Sequence, residues 1–120
     1  MPVIINRTTK TQSLTIANGA AVSNAFDMRD YSGGNLYMPA AWTAANIGFQ
    51  IAIDDAGTFY PLYDDAAAAF VEIASPAVDT AYPLPTELFS ACFVKLWSQD
   101  GAGADTNQGA ARTVVIELKS

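Results

Sequence analysis

Two pairs of adjacent carboxylates, Asp54-Asp55 and Asp64-Asp65, have the plainest claim to chemistry in this chain. A pair of carboxyl groups about 5–10 Å apart cleaves glycosidic bonds, one as acid and the other as nucleophile or base. Here the pairs flank residues 59–63, and a strand of five residues would hold them about 16 Å apart. Adjacent Asp side chains also point to different sides. The four residues therefore read as turn-forming, solubilising carboxylates.

Other reactive arrangements lack a partner. The chain has no histidine and one cysteine, so a Ser-His-Asp set is impossible and zinc has almost no ligands. Cys92 lies in the apolar run Ser90-Ala91-Cys92-Phe93-Val94, with no imidazole to make its thiolate, and is expected to be a small buried hydrophobe. The loops Asp100-Gly101-Ala102-Gly103-Ala104-Asp105 and Asp54-Asp55-Ala56-Gly57 carry carboxylates. They lack the alternating oxygen ligands of a calcium loop. Lys95 stands in a strand without an accompanying serine and reads as a snorkelling or edge lysine. No Gly-rich phosphate loop is present. The expectation is a non-enzymatic protein with no catalytic residue, no metal and no cofactor.

Composition points the same way. The chain of 120 residues is 51% hydrophobic, only 15% charged, and carries a formal charge of −6. It is long enough for one domain with its own core. The acidic surface repels phosphate backbones, so no nucleic acid is expected as partner. No apolar run reaches the roughly 18 residues of a membrane span. Residues 1–7 do not read as a secretion signal. A chain folded in a cytoplasm is expected.

The elements that must position these residues are short strands. Residues 1–12 are set apart as an N-terminal arm or first strand, with Val3, Ile4 and Ile5 apolar and residues 7–12 polar, and residues 13–120 as one domain. Leu14 and Ile16 alternate with polar neighbours up to the turn Asn18-Gly19. In residues 22–28, Val22, Phe26 and Met28 are expected on one face and Ser23 and Asp27 on the other. Ser32-Gly33-Gly34-Asn35 reads as a turn. Residues 40–46 or 86–89 have room for a single helical turn. Residues 47–53 alternate strictly, with Ile47, Phe49, Ile51 and Ile53 inward, and form a hairpin with residues 59–63, where Pro61 marks an edge. Residues 91–97 read as a central strand. Residues 100–111 read as a loop without apolar anchors, and Val114, Ile116 and Leu118 face inward on the last strand. Seven to nine short strands with frequent turns predict an all-β antiparallel β-sandwich of jelly-roll type.

Aromatic residues make up 11% of the chain. Tyr31, Tyr37, Trp42, Tyr60, Tyr63, Tyr82 and Trp97 include enough exposed-type rings for a sugar-stacking platform, although most should pack in the core. Trp42, in the irregular segment after Pro39, is expected as an exposed interface anchor.

Several runs resemble a known group. They are Asn18-Gly19-Ala20-Ala21-Val22-Ser23-Asn24-Ala25-Phe26-Asp27-Met28-Arg29, then Met38-Pro39-Ala40-Ala41-Trp42-Thr43-Ala44-Ala45-Asn46-Ile47-Gly48-Phe49-Gln50, the segment 54–63 with Leu62-Tyr63-Asp64, and Asn107-Gln108-Gly109-Ala110-Ala111-Arg112. Over residues 12–119 the chain resembles small structural proteins of tailed bacteriophages. The resemblance implies a virion component, and at this size a capsid decoration (cement) protein on the capsid surface, assembled in the host cytoplasm. Its partner would be the major capsid protein, and it would form a homo-oligomer, a trimer being favoured. Exposure logic nominates Val3, Ile4, Ile5 and Arg7 in the arm, with Tyr37 and Trp42, as partner contacts. The alternatives are a tail or fibre component facing the host, with a carbohydrate-binding β-sandwich, and an acidic-site hydrolase using Asp54 or Asp64.

Overall fold

The computed structural model describes residues 9–120, which fold as an all-β antiparallel sandwich. One sheet runs, in spatial order, β1 (Thr9–Ile16), β11 (Arg112–Lys119), β3 (Gly33–Tyr37) and β9 (Ala81–Pro83). The other runs β2 (Val22–Asp27), β10 (Phe93–Gln99), β4 (Asn46–Ala52) and β5 (Tyr60–Pro61), with β8 (Glu72–Ile73) also pairing β4. A two-stranded ribbon, β6 (Tyr63–Asp64) with β7 (Ala69–Phe70), stands apart. A 3-10 turn, Thr86–Ser90, leads into β10. The eleven strands among the described residues exceed the seven to nine expected because residues 60–83 break into five pieces of two or three residues.

The period-two pattern works where strands pair in unbroken register along their length. Leu14 and Ile16 on β1, and Val114, Ile116 and Leu118 on β11, are fully buried, paired in register from Thr9↔Lys119 to Ile16↔Arg112. Phe26, Leu36, Ile47, Phe49, Val94 and Leu96 complete the core between the sheets. Burying each such side chain stabilises the fold by about 1.5–3 kcal/mol relative to leaving it in water. β10 is central, between β2 and β4, as expected. β1 begins at Thr9, so the division drawn after residue 12 falls inside a strand; residues 1–8 lie outside the described residues.

Three local expectations are corrected. Gly33 and Gly34 open a strand instead of making a turn. The chain reverses just before them, with the Tyr31 N–H donating to the Met28 carbonyl at 3.1 Å. Gly34 is needed for close approach, since a Cβ there would lie 2.1 Å from the Glu117 carbonyl oxygen of β11. On β2, Ser23 is buried instead of outward, because the pairing with β10 shifts between Lys95 and Trp97 and reverses the alternation. The Ser23 hydroxyl accepts the Leu96 N–H at 2.9 Å within this irregularity. Ile53, expected inward, lies beyond the end of β4 and is 89% exposed. Of the two segments given room for a helical turn, 86–89 falls within the 3-10 turn and 40–46 forms none.

Loop 100–111 is anchored by polar groups. Trp97 donates its indole N–H to Asp105 at 2.7 Å, and Thr106 donates to the Ser98 carbonyl at 2.9 Å. Gln108 is 1% exposed. Its amide accepts from the Thr43 N–H at 2.9 Å and donates to the Thr43 carbonyl at 3.1 Å and the Ser98 hydroxyl at 2.9 Å. Its backbone accepts from Gly19 at 2.8 Å and donates to Ala20 at 2.9 Å. Gln108 thus fastens the 17–21 turn, the 40–46 segment and β10 together.

Replacing Gln108 with Ala leaves the Thr43 backbone pair and the Ser98 hydroxyl without their buried partner. The expected loss of stability is about 3 kcal/mol, read as a lower urea midpoint at unchanged slope.

Candidate interaction surface

The carboxylates behave as turn builders. Asp54 accepts the Ala56 N–H at 3.1 Å, and Asp64 accepts those of Ala66 at 3.0 Å and Ala67 at 3.3 Å. Asp100 accepts from Ala102 at 2.8 Å and Ala104 at 3.1 Å, and these bonds hold its carboxyl below the ordinary value. Among the described residues no group of three His, Cys, Asp or Glu side chains is placed to hold a metal, and no helix is long and apolar enough to cross a membrane.

The outer face of the second sheet gathers cations onto rings. The Arg29 guanidinium lies 4.7 Å from the Phe93 ring centre, and the Lys95 ammonium 4.3 Å from that of Phe59. Lys95 is therefore capped by the 53–59 loop on a central strand and is not an edge residue. Arg29 also forms a two-point ion pair with Asp27, at 3.0 and 2.8 Å. These bonds, with one from the Arg29 N–H, draw the Asp27 carboxyl below its ordinary value. Further along β10, Trp97 meets the Phe70 ring edge-on, and Phe70 meets Tyr63 in the same way, at 5.4 and 5.3 Å between centres. The β6–β7 ribbon thereby covers Trp97, which is 3% exposed, and leaves Tyr63 half open to water.

A cleft of about 480 Å³ opens at the end of this sheet. The end of β4 with Ile53 forms one wall, Tyr60 and Pro61 of β5 another, and Ser90, Ala91 and Cys92 a third. The cleft is apolar, with Asp54 on its rim. Tyr60 is 66% exposed beside Ile53. Cys92, expected to be buried, is half-buried because it stands in the cleft wall. Exposed apolar side chains gathered at an apolar cleft make this end a candidate contact surface.

Of the residues nominated from sequence, Tyr37 and Trp42 do not line this cleft. Val3, Ile4, Ile5 and Arg7 lie outside the described residues. Tyr37 stands on β3 of the other sheet and donates to Glu117 at 3.2 Å; partial burial and that carboxylate raise its phenol above the ordinary value. Trp42 packs against the core and donates its N–H to the Ala45 carbonyl at 3.2 Å, so it anchors its own loop and is not the exposed anchor expected. The cleft was missed because Ile53 continues the inward alternation of β4 in sequence; only Asp54-Asp55 hints that the strand ends there.

No family model matches the chain, and no curated protein matches it. Among solved structures, the fold is similar to the crystal structure of SPBc2 prophage-derived protein YomS. The TM-score is 0.55 at 15% sequence identity, over 99% of this chain and 100% of that one.

The Asp27–Arg29 pair carries a definite pH dependence. Because the folded carboxyl titrates below its ordinary value of 3.8, its contribution is complete above that pH and is lost as pH falls through the lowered value. The urea midpoints of the wild type and Asp27→Asn are expected to differ steadily at pH values well above 3.8 and to converge as pH falls through the lowered value.

Proposed function

We propose that this chain is a structural protein of a tailed-bacteriophage virion, and specifically a capsid decoration protein. The observation that carries the reading is the likeness in fold, over 99% of this chain and 100% of the other, to a prophage-derived protein. The absence of histidine, and carboxylates committed to their own turns, support a binding role over catalysis. The partner in this reading is the major capsid protein, the location the outer surface of the head, and the acidic chain makes no use of DNA or membrane. It acts by bridging adjacent capsid subunits, so that expansion or internal pressure must break additional contacts. A rigid sandwich suits this task because its surface is already ordered before contact and little conformational entropy is lost on binding.

A second reading, a host-facing tail or fibre component, draws on Tyr60 and Tyr63, which are 66% and 49% exposed. A sugar stacked on Tyr63 would be sensed by Trp97 through the Phe70 ring.

Capsids lacking the protein, incubated with the purified chain, are expected to bind it to saturation and to survive a higher temperature afterwards. Folded protein that leaves the shell unbound, with tryptophan fluorescence that responds to glycans, moves the assignment to the tail.

A further inference from the structure

We propose that the cleft between β4, β5 and residues 90–92 receives the Val3-Ile4-Ile5 segment of a second copy of this chain. The inference deepens the virion reading by naming the surface through which copies join, and rests on it only for the premise that copies assemble.

Four observations converge. The cleft is apolar and bordered by the exposed Ile53 and Tyr60, while the chain supplies an apolar tripeptide just outside the described residues. The charge is complementary: Arg7 follows the tripeptide by two residues, and Asp54 stands at the cleft rim. Such an exposed pair adds little affinity but selects the direction of docking. The sheet edge is also incomplete. The edge strand beside the cleft is β5, which pairs β4 only at Gln50↔Pro61 and Ile51↔Tyr60 and leaves its other side to an incoming extended segment.

The fourth observation is where the segment starts. Thr9 pairs with Lys119, and Lys119 with Gly33, beside which lies the Phe89 ring. Thr9, to which the segment is joined, therefore stands at the end of the sandwich that holds residues 90–92. The segment's own cleft is nevertheless a taut reach. β1 lies against β2, with Gln12 donating to the Ala25 carbonyl at 3.2 Å and Thr15 to the Asn24 side chain at 2.9 Å. The cleft lies two to three strands further on, or about 10–15 Å. From Thr9 to Ile5 the chain spans at most about 14 Å. To seat all three apolar residues in its own cleft it would have to run fully extended through residues 6–8. A neighbouring copy supplies the same segment without that constraint, and repeating the exchange around an axis closes a dimer or a ring.

Cys92 makes the test direct, since it is the sole cysteine and lines the cleft. Val3→Cys, Ile4→Cys and Ile5→Cys are made in turn in the full chain and oxidised with copper phenanthroline. At least one is expected to give reducible covalent dimers or trimers in high yield where the wild type gives only a trace. Reducible cross-linking at monomer mass would overturn the assignment to a second copy, and a Cys92 thiol that stays reactive in all three variants would overturn the docking itself. Independently, Ile4→Asp and Ile53→Asp are each expected to lower the mass by light scattering two- to threefold, to 12.7 kDa, with unchanged circular dichroism. Mixing the two variants is expected to restore pairs, since one intact segment still meets one intact cleft. Wild-type protein already monomeric at about 100 µM, where even a Kd of 10 µM would pair most copies, would overturn the inference. No shell enters these measurements: a monomer that binds capsids overturns only this inference, and an oligomer that ignores them overturns only the decoration role.

Discussion

A buried amide without an apolar substitute organises one end of this sandwich. Gln108 presents both a donor and an acceptor to the Thr43 backbone, and a further donor to Ser98. Three segments far apart in sequence converge on it, and each would otherwise leave polar groups buried without partners. Arg112 reaches the same amide oxygen at 3.3 Å and the Thr43 hydroxyl at 3.2 Å, tying the start of β11 to the cluster. The geometry admits one arrangement of the loops because any slippage breaks several bonds at once. The core between the sheets is apolar and tolerant of shape; the polar end decides which loop lies where.

A second polar cluster repeats the principle on the outer face. Gln99, fully buried, donates to Glu72, which also accepts from Asn46 at 3.2 Å, while Asn46 accepts from Ser75 at 2.8 Å. This holds β8 across the start of β4 and, with the Tyr63–Phe70–Trp97 contacts, folds residues 60–75 over the sheet. The covered half of that face is closed to partners. The open half, toward Ile53 and Cys92, keeps the cleft. The division of the face follows from where these side chains clamp the chain, and it leaves Ile53 and Tyr60, the two most exposed large apolar side chains among the described residues, beside the cleft.

The fold class was legible in the sequence because alternation reports directly which side of a sheet a residue occupies. Leu14, Ile16, Val114, Ile116 and Leu118 are buried as their spacing requires, and the 47–52 and 91–97 runs lie at the centre of their sheet. Alternation fails where pairing changes phase or stops. Ser23 is inward because β2 carries an extra residue between Val22 and Ala25, an irregularity that only its pairing with Lys95 and Trp97 of β10 reveals. Ile53 is outward because β4 ends one residue earlier. Gly33 and Gly34 resemble turn residues locally, and only the closeness of β11 gives them a place in a strand.

What the sequence determined by itself was an all-β architecture and the residue types on hand, with no histidine and one cysteine. Lack of histidine, a lone cysteine and carboxylates in turn contexts are properties of composition and short-range order, which need no tertiary information. What only the tertiary structure decided was the apolar cleft and the polar clamp of the loops. The cleft is built by residues 51–61 and 90–92, and the loop clamp by residues 43, 98 and 108. Such contacts depend on chain reversals that local pattern does not encode, since a side chain's partner across a long loop is selected by packing and hydrogen-bond satisfaction in the whole fold.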